Sequence, residues 1–280
     1  MFSEKTLIHC GGKLLDLSTP KVMGILNVTP DSFYPESRLM NEAEVLQLAE
    51  QMRQDGAAIL DVGGLSTRPG AEEISVDEEL HRVIPAIRKI LKEFPDAIVS
   101  IDTFRSKVAE EAVAAGATMV NDISAGRLDA DFLTTIAKLK IPYVLMHMQG
   151  TPQTMQENPS YESVVNDVFN FLKKRLIQLN RLGIHDIILD PGFGFGKSVE
   201  HNYQLLKHLS VLRTFGLPVL AGLSRKSMIC KVLHANPANA LNGTTALHAV
   251  ALLQGAKILR VHDVKEAVET IELMAALHRA

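Results

Sequence analysis

The strongest constraint on the fold is a unit that recurs four times along the chain. In each copy a glycine follows a helical pattern, a short apolar run comes next, and a polar residue ends the run. The copies are GAAILD from Gly56, GATMVN from Gly116, GIHDIILD from Gly183 and GAKILR from Gly255. Glycine suits the left-handed position past a helix end. Continuous apolar runs of this length are typical of parallel strands that are buried on both faces.

Less regular runs raise the number of predicted strands to eight. These runs are VMGILN, AAILDV, AIVSID, TMVNDI, PYVLMH, DIILDP, PVLAGL and KILRVH. Helical patterns separate them, among them EAEVLQLAEQMRQ, SKVAEEAVAA and SVVNDVFNFLKKRLIQL. Eight strand–helix units in roughly 250 residues predict an α/β fold, a (β/α)8 TIM barrel. A doubly wound open sheet has the same alternation and is the alternative fold.

The N-terminal region, residues 1–18, carries a different pattern. LIHCGGKLLDL predicts a short β-hairpin that turns at Gly11 and Gly12 and closes the bottom of the barrel. No linker, low-complexity tract or break in composition follows it, so we expect residues 1–280 to form a single domain.

Composition excludes several classes of partner. The net charge of -3 argues against a nucleic-acid or membrane surface. No run approaches the ~20 apolar residues of a membrane span, and the first residues do not resemble a secretory signal. The two cysteines, Cys10 and Cys230, form no C-x-x-C pair, which favours a reduced, cytoplasmic setting.

Polar residues follow the predicted strands at the end where barrel enzymes have their active sites. They are Asn27, Asp61, Asp102, Asn121, Asp122, His147, Asp190, Ser224, Lys226, Arg260 and His262. For any one Asp or Asn, helix capping or a turn is an equally good explanation. Polar residues at all eight ends instead predict a ligand site, because partly buried carboxylates are costly without partners.

The last strand, KILRVH, places Arg260 and His262 two residues apart, so both project from one face. In a chain with a negative net charge, an anion must be met by such local positive groups. Arg260 and His262 are therefore the groups that would matter most for any anion that the chain binds. The alternative is that Arg260 forms a structural ion pair with an acidic residue on a helix.

Two familiar motifs fail on inspection. GFGFGKS is not a phosphate loop, since Pro191 stands where the first glycine is required, and it lacks the third glycine of a dinucleotide-binding loop. His147 has no second zinc ligand at a suitable spacing, and we interpret it as a hydrogen-bonded core histidine. GFGFG and GGLSTRPGA are interpreted as flexible, close-packed active-site loops, with Phe193 and Phe195 either in the core or beside a ligand ring.

Seven segments, in order, resemble those of the dihydropteroate synthase family. They are MGILNVTPDSF, GGLSTRPGA, SIDT, VNDIS, ILDPGFGFGK, GLSRKS and RVHDV. The resemblance spans nearly the whole chain. It implies a TIM barrel that joins (7,8-dihydropterin-6-yl)methyl diphosphate to p-aminobenzoate, giving 7,8-dihydropteroate and pyrophosphate. It also implies Mg²⁺ as cofactor, two small-molecule substrates and a homodimer.

The resemblance assigns four residues to the pterin. Asp190 would hold the guanidine-like edge with two parallel hydrogen bonds. Asn121 and Asp102 would contact the rest of the ring, and Lys226 would reach the carbonyl side and the aminobenzoate. Asp61 and Asp122 are left to position loops.

The diphosphate and metal are assigned in the same way. Arg260 and His262 would donate to phosphate oxygens, Asn27 would bind Mg²⁺, and Thr67 and Arg68 would help to close over the substrates. Pyrophosphate would leave first, and the amine would then attack the resulting cation. The expected catalytic residues are Asp102, Lys226, Arg260 and His262.

Two other functions remain as alternatives. One is a related pterin-binding methyltransferase with a corrinoid partner, which has no need for RVHD or STRPGA. The other is a non-catalytic pterin-binding paralogue. Its only support is the first loop, where Tyr34, Pro35 and Glu36 replace the usual Ser-Asp-Gly. Separately, Leu65 replaces a glutamate in the segment GGLSTRPGA. We expect these changes to alter aminobenzoate capture and to lower sensitivity to sulfonamides, which an inhibition constant would measure.

Overall fold

The computed structural model describes residues 5–28, 42–66 and 74–280. Thr67 and Arg68 lie outside the described residues, as do Tyr34, Pro35 and Glu36 of the first loop. Within the described residues, no helix is both long and apolar enough to cross a membrane.

The chain begins with the predicted hairpin. Strands β1 (Leu7–Cys10) and β2 (Lys13–Asp16) pair antiparallel, with Leu7 opposite Asp16 and Cys10 opposite Lys13. Gly11 and Gly12 form the turn with φ of 57° and 84°, the left-handed region in which glycine is favoured. The prediction for this segment is confirmed.

A closed ring of parallel strands follows. Its strands are β3 (Lys21–Asn27), β4 (Ile59–Gly63), β5 (Val99–Asp102), β6 (Met119–Asp122), β7 (Tyr143–Met146), β8 (Ile187–Asp190), β9 (Leu220–Ala221) and β10 (Ile258–Val261). The hydrogen-bonded order is β8-β7-β6-β5-β4-β3-β10-β9. Leu189 and Val219 form a parallel bridge that joins the two ends of this order. The fold is therefore the predicted TIM barrel, and the open-sheet alternative is wrong.

Helices surround the ring in the described part of the chain. They are α1 (Glu42–Gln54), α2 (Val76–Glu93), α3 (Ser106–Ala114), α4 (Phe132–Leu139), α5 (Val164–Arg181), α6 (Val199–Lys207), α7 (Ser227–Leu233), α8 (Leu241–Leu253) and α9 (Val264–Arg279), with 3₁₀ turns at Leu209–Phe215 and Pro237–Asn239. Serine caps begin three of them, because Ser75, Ser163 and Ser198 accept hydrogen bonds from amides three residues on.

Two apolar layers follow from strands that are buried on both faces. The outer layer lies between strands and helices and includes Leu259 and Val261. The inner layer fills the lower barrel, where Ile8 and Leu17 from the hairpin region pack against inward residues such as Met23 and Ile258. The lower end of the barrel is therefore closed by hydrocarbon, which leaves the carboxyl ends of the strands for polar chemistry.

Candidate functional site

The centre of the site is an arginine held between two aspartates. Arg260 on β10 donates from Nε to Oδ2 of Asp61 and from Nη2 to Oδ2 of Asp102, each at 2.6 Å. The side chain passes β3 to reach β4 and β5, so it runs across the inner face of the barrel. The sequence predicts that Arg260 and His262 project from one face of the strand without saying which face, and the structure places Arg260 on the inner face. Its ion-pair partners, however, are strand-end aspartates and not acidic residues on a helix.

Two opposing effects act on this ion triad. Burial disfavours the charged guanidinium and by itself lowers the pKa of Arg260. The charges of Asp61 and Asp102 outweigh this effect of burial, so the pKa of Arg260 is raised above its usual value. Burial raises the pKa of Asp102 to about 7, with Arg260 opposing the shift. Arg260 thus stays charged at any physiological pH. Of the five N–H donors of a guanidinium, two are used here within the described residues, which leaves both donors on Nη1 and one on Nη2.

Asp61 is the shared acceptor of this network. Its Oδ2 also accepts a hydrogen bond of 2.9 Å from Nδ2 of Asn121, and its side chain is fully buried. Because the amide nitrogen of Asn121 faces Asp61, the amide oxygen is turned elsewhere and can accept from a ligand. Asp61 therefore orients Arg260 and Asn121, which is a positioning role.

A second pair of charges lies on the β8 side. Asp190 is buried and its Oδ1 accepts a hydrogen bond of 2.7 Å from the amide of Gly192. Burial raises the pKa of Asp190, while the nearby Lys226 opposes this shift. Lys226 donates from Nζ to the carbonyl oxygen of Phe193 and lies 4.8 Å from the ring centre of Phe195. Burial lowers the pKa of Lys226 to about 8.

These four charged groups form one electrostatic cluster. Lys226 is influenced by Asp190, Arg260 and Asp102, and Asp190 and Arg260 each favour the charged form of the other. The carboxylate of Asp190, at the end of β8, and the guanidinium of Arg260, on β10, lie at the same rim of the barrel. Counted together, two cations and three aspartates, including Asp61, give a formal charge of -1.

His262 faces the other neighbouring strand. Its Nδ1 lies 3.0 Å from Oγ of Ser224, and its amide donates to the same oxygen at 3.2 Å. Arg260 and His262 thus leave the last strand toward opposite sides, one to β4 and β5 and the other to the loop after β9. The two predicted anion ligands are brought to one rim but are held by different partners.

Asn27 ends β3 beside the ion triad. A Cβ built on Gly63 would lie 3.4 Å from Oδ1 of Asn27 and 3.5 Å from Cβ of Asp102, so the amide and the carboxyl group flank this glycine. An amide oxygen is a suitable ligand for Mg²⁺. Among the residues that the structure describes, no group of three His, Cys, Asp or Glu side chains could hold a metal. The donor set fits Mg²⁺ only if a ligand supplies further oxygens.

The loop after β8 depends on a lysine that sequence reasoning did not single out. Lys197 is buried, and Nζ donates to the carbonyl oxygens of Gly192 at 2.9 Å and Phe195 at 3.0 Å. It also lies 2.9 Å from Nδ1 of His147. Burial lowers the pKa of Lys197 well below its usual value. A lysine directly after the glycine-rich run was the available signal.

Glycine is required within this loop. Gly192 has a φ of 70°, and a Cβ there would lie 1.9 Å from the carbonyl oxygen of His147. Because no side chain fits at that distance, the loop is close-packed, as predicted. His147 itself is buried and meets the ring of Phe171 edge-on at 4.8 Å, which confirms its prediction as a core histidine. Burial lowers its pKa to about 2.

Asp122 also has a structural role. Its carboxylate accepts hydrogen bonds from the amides of Ser124 and Gly126, both at 2.6 Å, and from the hydroxyl of Tyr143 at 2.7 Å. It organises the turn after β6.

The second loop, which carries Thr67 and Arg68, is anchored on both sides by described residues. The carbonyl oxygen of Gly64 accepts a hydrogen bond of 3.1 Å from Nη1 of Arg82, and that of Ile74 accepts one of 2.6 Å from Nη2 of Arg105. Arg105 also pairs with the buried Glu79 at 2.9 Å. These bonds fix where the loop leaves and rejoins the barrel.

A TIM barrel with buried acids, an amide and two cations at its rim has the features of a pterin-binding enzyme. Residues 23–262 match the family model described as pterin binding enzyme, so the chain belongs to that family. Within the family it belongs to the dihydropteroate synthases, transferases of folate biosynthesis. It is 46% identical over 275 residues to the dihydropteroate synthase of Haemophilus influenzae, covering 98% of this chain and 99% of that protein.

Solved structures agree. A Yersinia pestis dihydropteroate synthase in complex with a sulfonamide drug has a TM-score of 0.94 and 44% identity, covering 98% of this chain and 100% of the other. A Xanthomonas albilineans dihydropteroate synthase with 4-aminobenzoic acid has a TM-score of 0.91 and 42% identity, covering 98% and 99%. The three functions left open by sequence thus resolve in favour of the synthase.

The ion triad predicts a large loss of stability when its buried acid is removed. We expect Asp61→Ala to lower the free energy of unfolding by about 3–5 kcal/mol, because it leaves a buried cation with one partner. The control is Asp96→Ala, which removes a side chain that is 77% exposed from Arg53 and is expected to cost less than about 1 kcal/mol. Urea unfolding followed by circular dichroism measures both, and equal losses would contradict the triad's importance.

Proposed function

We propose that the chain joins (7,8-dihydropterin-6-yl)methyl diphosphate to p-aminobenzoate at the rim of the barrel, with Asp190 and Arg260 at the two ends of the first substrate. The single observation that carries this assignment is the ion triad that fixes Arg260 at the rim of the barrel, with the buried Asp190 at the end of β8 on the same rim. It offers acceptors for the flat ring and a fixed cation for the departing group.

The pterin would lie against Asp190, Asn121 and Asp102. Asp190 is desolvated, so donors on a planar guanidine-like edge would stabilise its charged form. The oxygen of Asn121 is directed away from Asp61 and would accept from the ring. Lys226 would donate to the carbonyl side of the pterin and approach the aminobenzoate, since Nζ already lies near the ring of Phe195.

The diphosphate would meet Nη1 of Arg260 and the imidazole of His262. Arg260 is already neutralised by two aspartates, so its contribution would be a fixed direction more than net attraction. A diphosphate near a cluster with a formal charge of -1 requires further positive charge. This electrostatic requirement supports the proposal of Mg²⁺, held by Oδ1 of Asn27 together with phosphate oxygens and water.

Catalysis would follow from these positions. Mg²⁺, when bound, supplies charge that stabilises the leaving pyrophosphate. Arg260 and His262 would donate to that group as it leaves, and the carboxylate of Asp102 would stabilise the cation on the methylene carbon. The neutral amine of p-aminobenzoate would then attack the methylene carbon, form the new C–N bond and lose one proton to solvent water. Thr67 and Arg68 would help to exclude water, a role that rests on the resemblance alone.

Arg260 provides the test of this function. Purified protein supplied with both substrates and Mg²⁺ is expected to release pyrophosphate and form pteroate. Arg260→Lys keeps the positive charge but loses the planar fork, so we expect binding of the pterin diphosphate to weaken at least about tenfold, and binding of a pterin without phosphate less than about threefold. Isothermal titration calorimetry measures both. Equal weakening would contradict the role given to Arg260, and absence of both products would contradict the function.

Asn27 provides a separate test of the metal. We expect Asn27→Ala to raise the Mg²⁺ concentration for half-maximal activity at least about tenfold, since one protein ligand is lost. Asn180→Ala, on the exposed surface of α5, is the matched control and should leave it unchanged. Because the described residues hold no complete metal site, Mg²⁺ binding without the diphosphate should be weak. Tight binding to the free protein would contradict the assignment.

A homodimer and a cytoplasmic location belong to the same proposal. Leu253 on α8 and Leu273 and Leu277 on α9 are 65%, 71% and 62% exposed, and the two helices pack against each other. An apolar surface of this kind supports contact with a second copy of the chain. Sedimentation velocity at micromolar concentration should give a dimer, and a monomer would contradict it. Cys10 and Cys230 are both free thiols, which suits a reducing compartment.

A further inference from the structure

The loops after β9 and β10 are joined by an ion pair outside the ring of substrate-facing residues. Nε of Arg225 donates to Oδ2 of Asp263 at 2.9 Å, and Nη2 donates to Oδ1 at 2.6 Å. This is the two-point geometry that gives an arginine–carboxylate pair its direction as well as its strength. Arg225 directly precedes Lys226, and Asp263 directly follows His262. The pair therefore joins the two residues that stand next to the proposed substrate ligands.

The guanidinium of Arg225 is committed to the protein. Its Nη1 donates to the carbonyl oxygens of Pro237 at 2.8 Å and Ala238 at 2.9 Å, in addition to the two bonds with Asp263. Four of the five donors of a guanidinium are thus used. Arg225 is therefore not placed to bind phosphate, although it belongs to the segment GLSRKS that carries the resemblance.

The backbone of Arg225 is strained. Its φ of 53° lies in the left-handed region, which is unfavourable for a residue other than glycine. The amide of Arg225 donates to Oγ1 of the buried Thr244 on α8 at 3.0 Å, so the strained conformation is held from a second direction. Such a conformation persists only where its surroundings determine it. Here the left-handed conformation of Arg225 sets the direction in which the chain continues to Lys226.

A second link runs beside the first. Ser224, on the other side of Arg225, contacts Nδ1 of His262 at 3.0 Å and accepts from its amide at 3.2 Å. Consecutive residues of one loop therefore bind consecutive residues of the other, Ser224 to His262 and Arg225 to Asp263. Two adjacent links prevent the loops from rotating against each other, which one link could not do.

We propose that Arg225 and Asp263 are positioning residues of the transferase reaction, which hold Lys226 and His262 at a fixed separation without touching either substrate. The proposal rests on the roles proposed for Lys226 and His262. Its physical basis is that a displacement of about 1 Å in a group that orients reactants can cost about 100-fold in rate. A pair that only stabilises the fold would change the melting temperature and leave the kinetic constants of the folded enzyme as they are.

A double-mutant cycle tests the pair. Arg225→Met and Asp263→Leu are each expected to lower kcat at least about 30-fold, and the double variant to lose no more than about threefold beyond either, because the two side chains act as one unit. The matched control is Arg53→Met and Asp96→Leu, another arginine that contacts both oxygens of an aspartate, which should leave kcat within about twofold. Rates are measured well below each melting temperature.

Milder variants keep the test decisive if the truncated ones do not fold. Arg225→Lys and Asp263→Asn retain part of the contact and are expected to lower kcat less than the truncations do. Arg225→Gly relieves the left-handed backbone while it removes the side chain, and it should be as slow as Arg225→Met although more stable than Arg225→Ala. Near-wild-type kcat in Arg225→Gly would show that the side chain positions nothing.

The pH profile gives a readout that a purely structural role would not move. Lys226 has a pKa of about 8 through burial and the charges of Asp190, Arg260 and Asp102, and it is protonated below that pH. We expect kcat/KM for p-aminobenzoate to fall above about pH 8, and Arg225→Lys to shift that fall by about half a pH unit or more while Arg53→Met does not.

The outcomes separate this inference from the proposed function. Wild-type protein that forms no pteroate contradicts the function. The positioning role alone is overturned if the wild type is active and its Arg225 and Asp263 variants keep kcat within about threefold of it. In that case the pH dependence would also stay within a few tenths of a pH unit.

Discussion

The site depends on one buried ion triad, in which Arg260 is bonded to Asp61 and Asp102. Three charges from strands β10, β4 and β5 can be buried together only because each satisfies another. The same bonds fix the guanidinium and, through Asp61, the amide of Asn121. Stability and readiness for a ligand thus come from one set of contacts. The guanidinium of Arg260 also opposes the repulsion between Asp61 and Asp102.

The β8 side of the rim is organised by a different means. There the acceptors are backbone carbonyls of Gly192 and Phe195, and the donor is the buried Lys197. The glycines let the chain fold back closely enough for one ammonium group to bind two carbonyl oxygens of the loop. The ammonium of Lys226 then rests on the carbonyl oxygen of Phe193. A charged group on one side of the pocket is positioned by the conformation of a loop on the other.

Much of the fold was predictable from the sequence, because hydrophobic periodicity marks the helices and strands, and glycine and polar residues mark where they end. The helix EAEVLQLAEQMRQ coincides with Glu42–Gln54, and all eight predicted strands are present. That Arg260 shares a face of its strand with His262 followed from alternation in a strand. Its partners did not, since Asp61 and Asp102 lie 199 and 158 residues away and only closure of the ring brings them near. The role of Lys197 was missed because its acceptors are backbone carbonyl oxygens. Every residue has one, so no residue type in the sequence marks them.

The filled lower end has a consequence for the order of events. Because Ile8, Leu17 and the inward aliphatic side chains close that end, molecules can pass only through the opposite mouth. In a cavity with one entrance, a molecule that binds at the bottom has to enter before a molecule that covers it. The covering molecule has to leave first. The short N-terminal hairpin, at the closed end of the barrel, thereby restricts both substrates to one entrance.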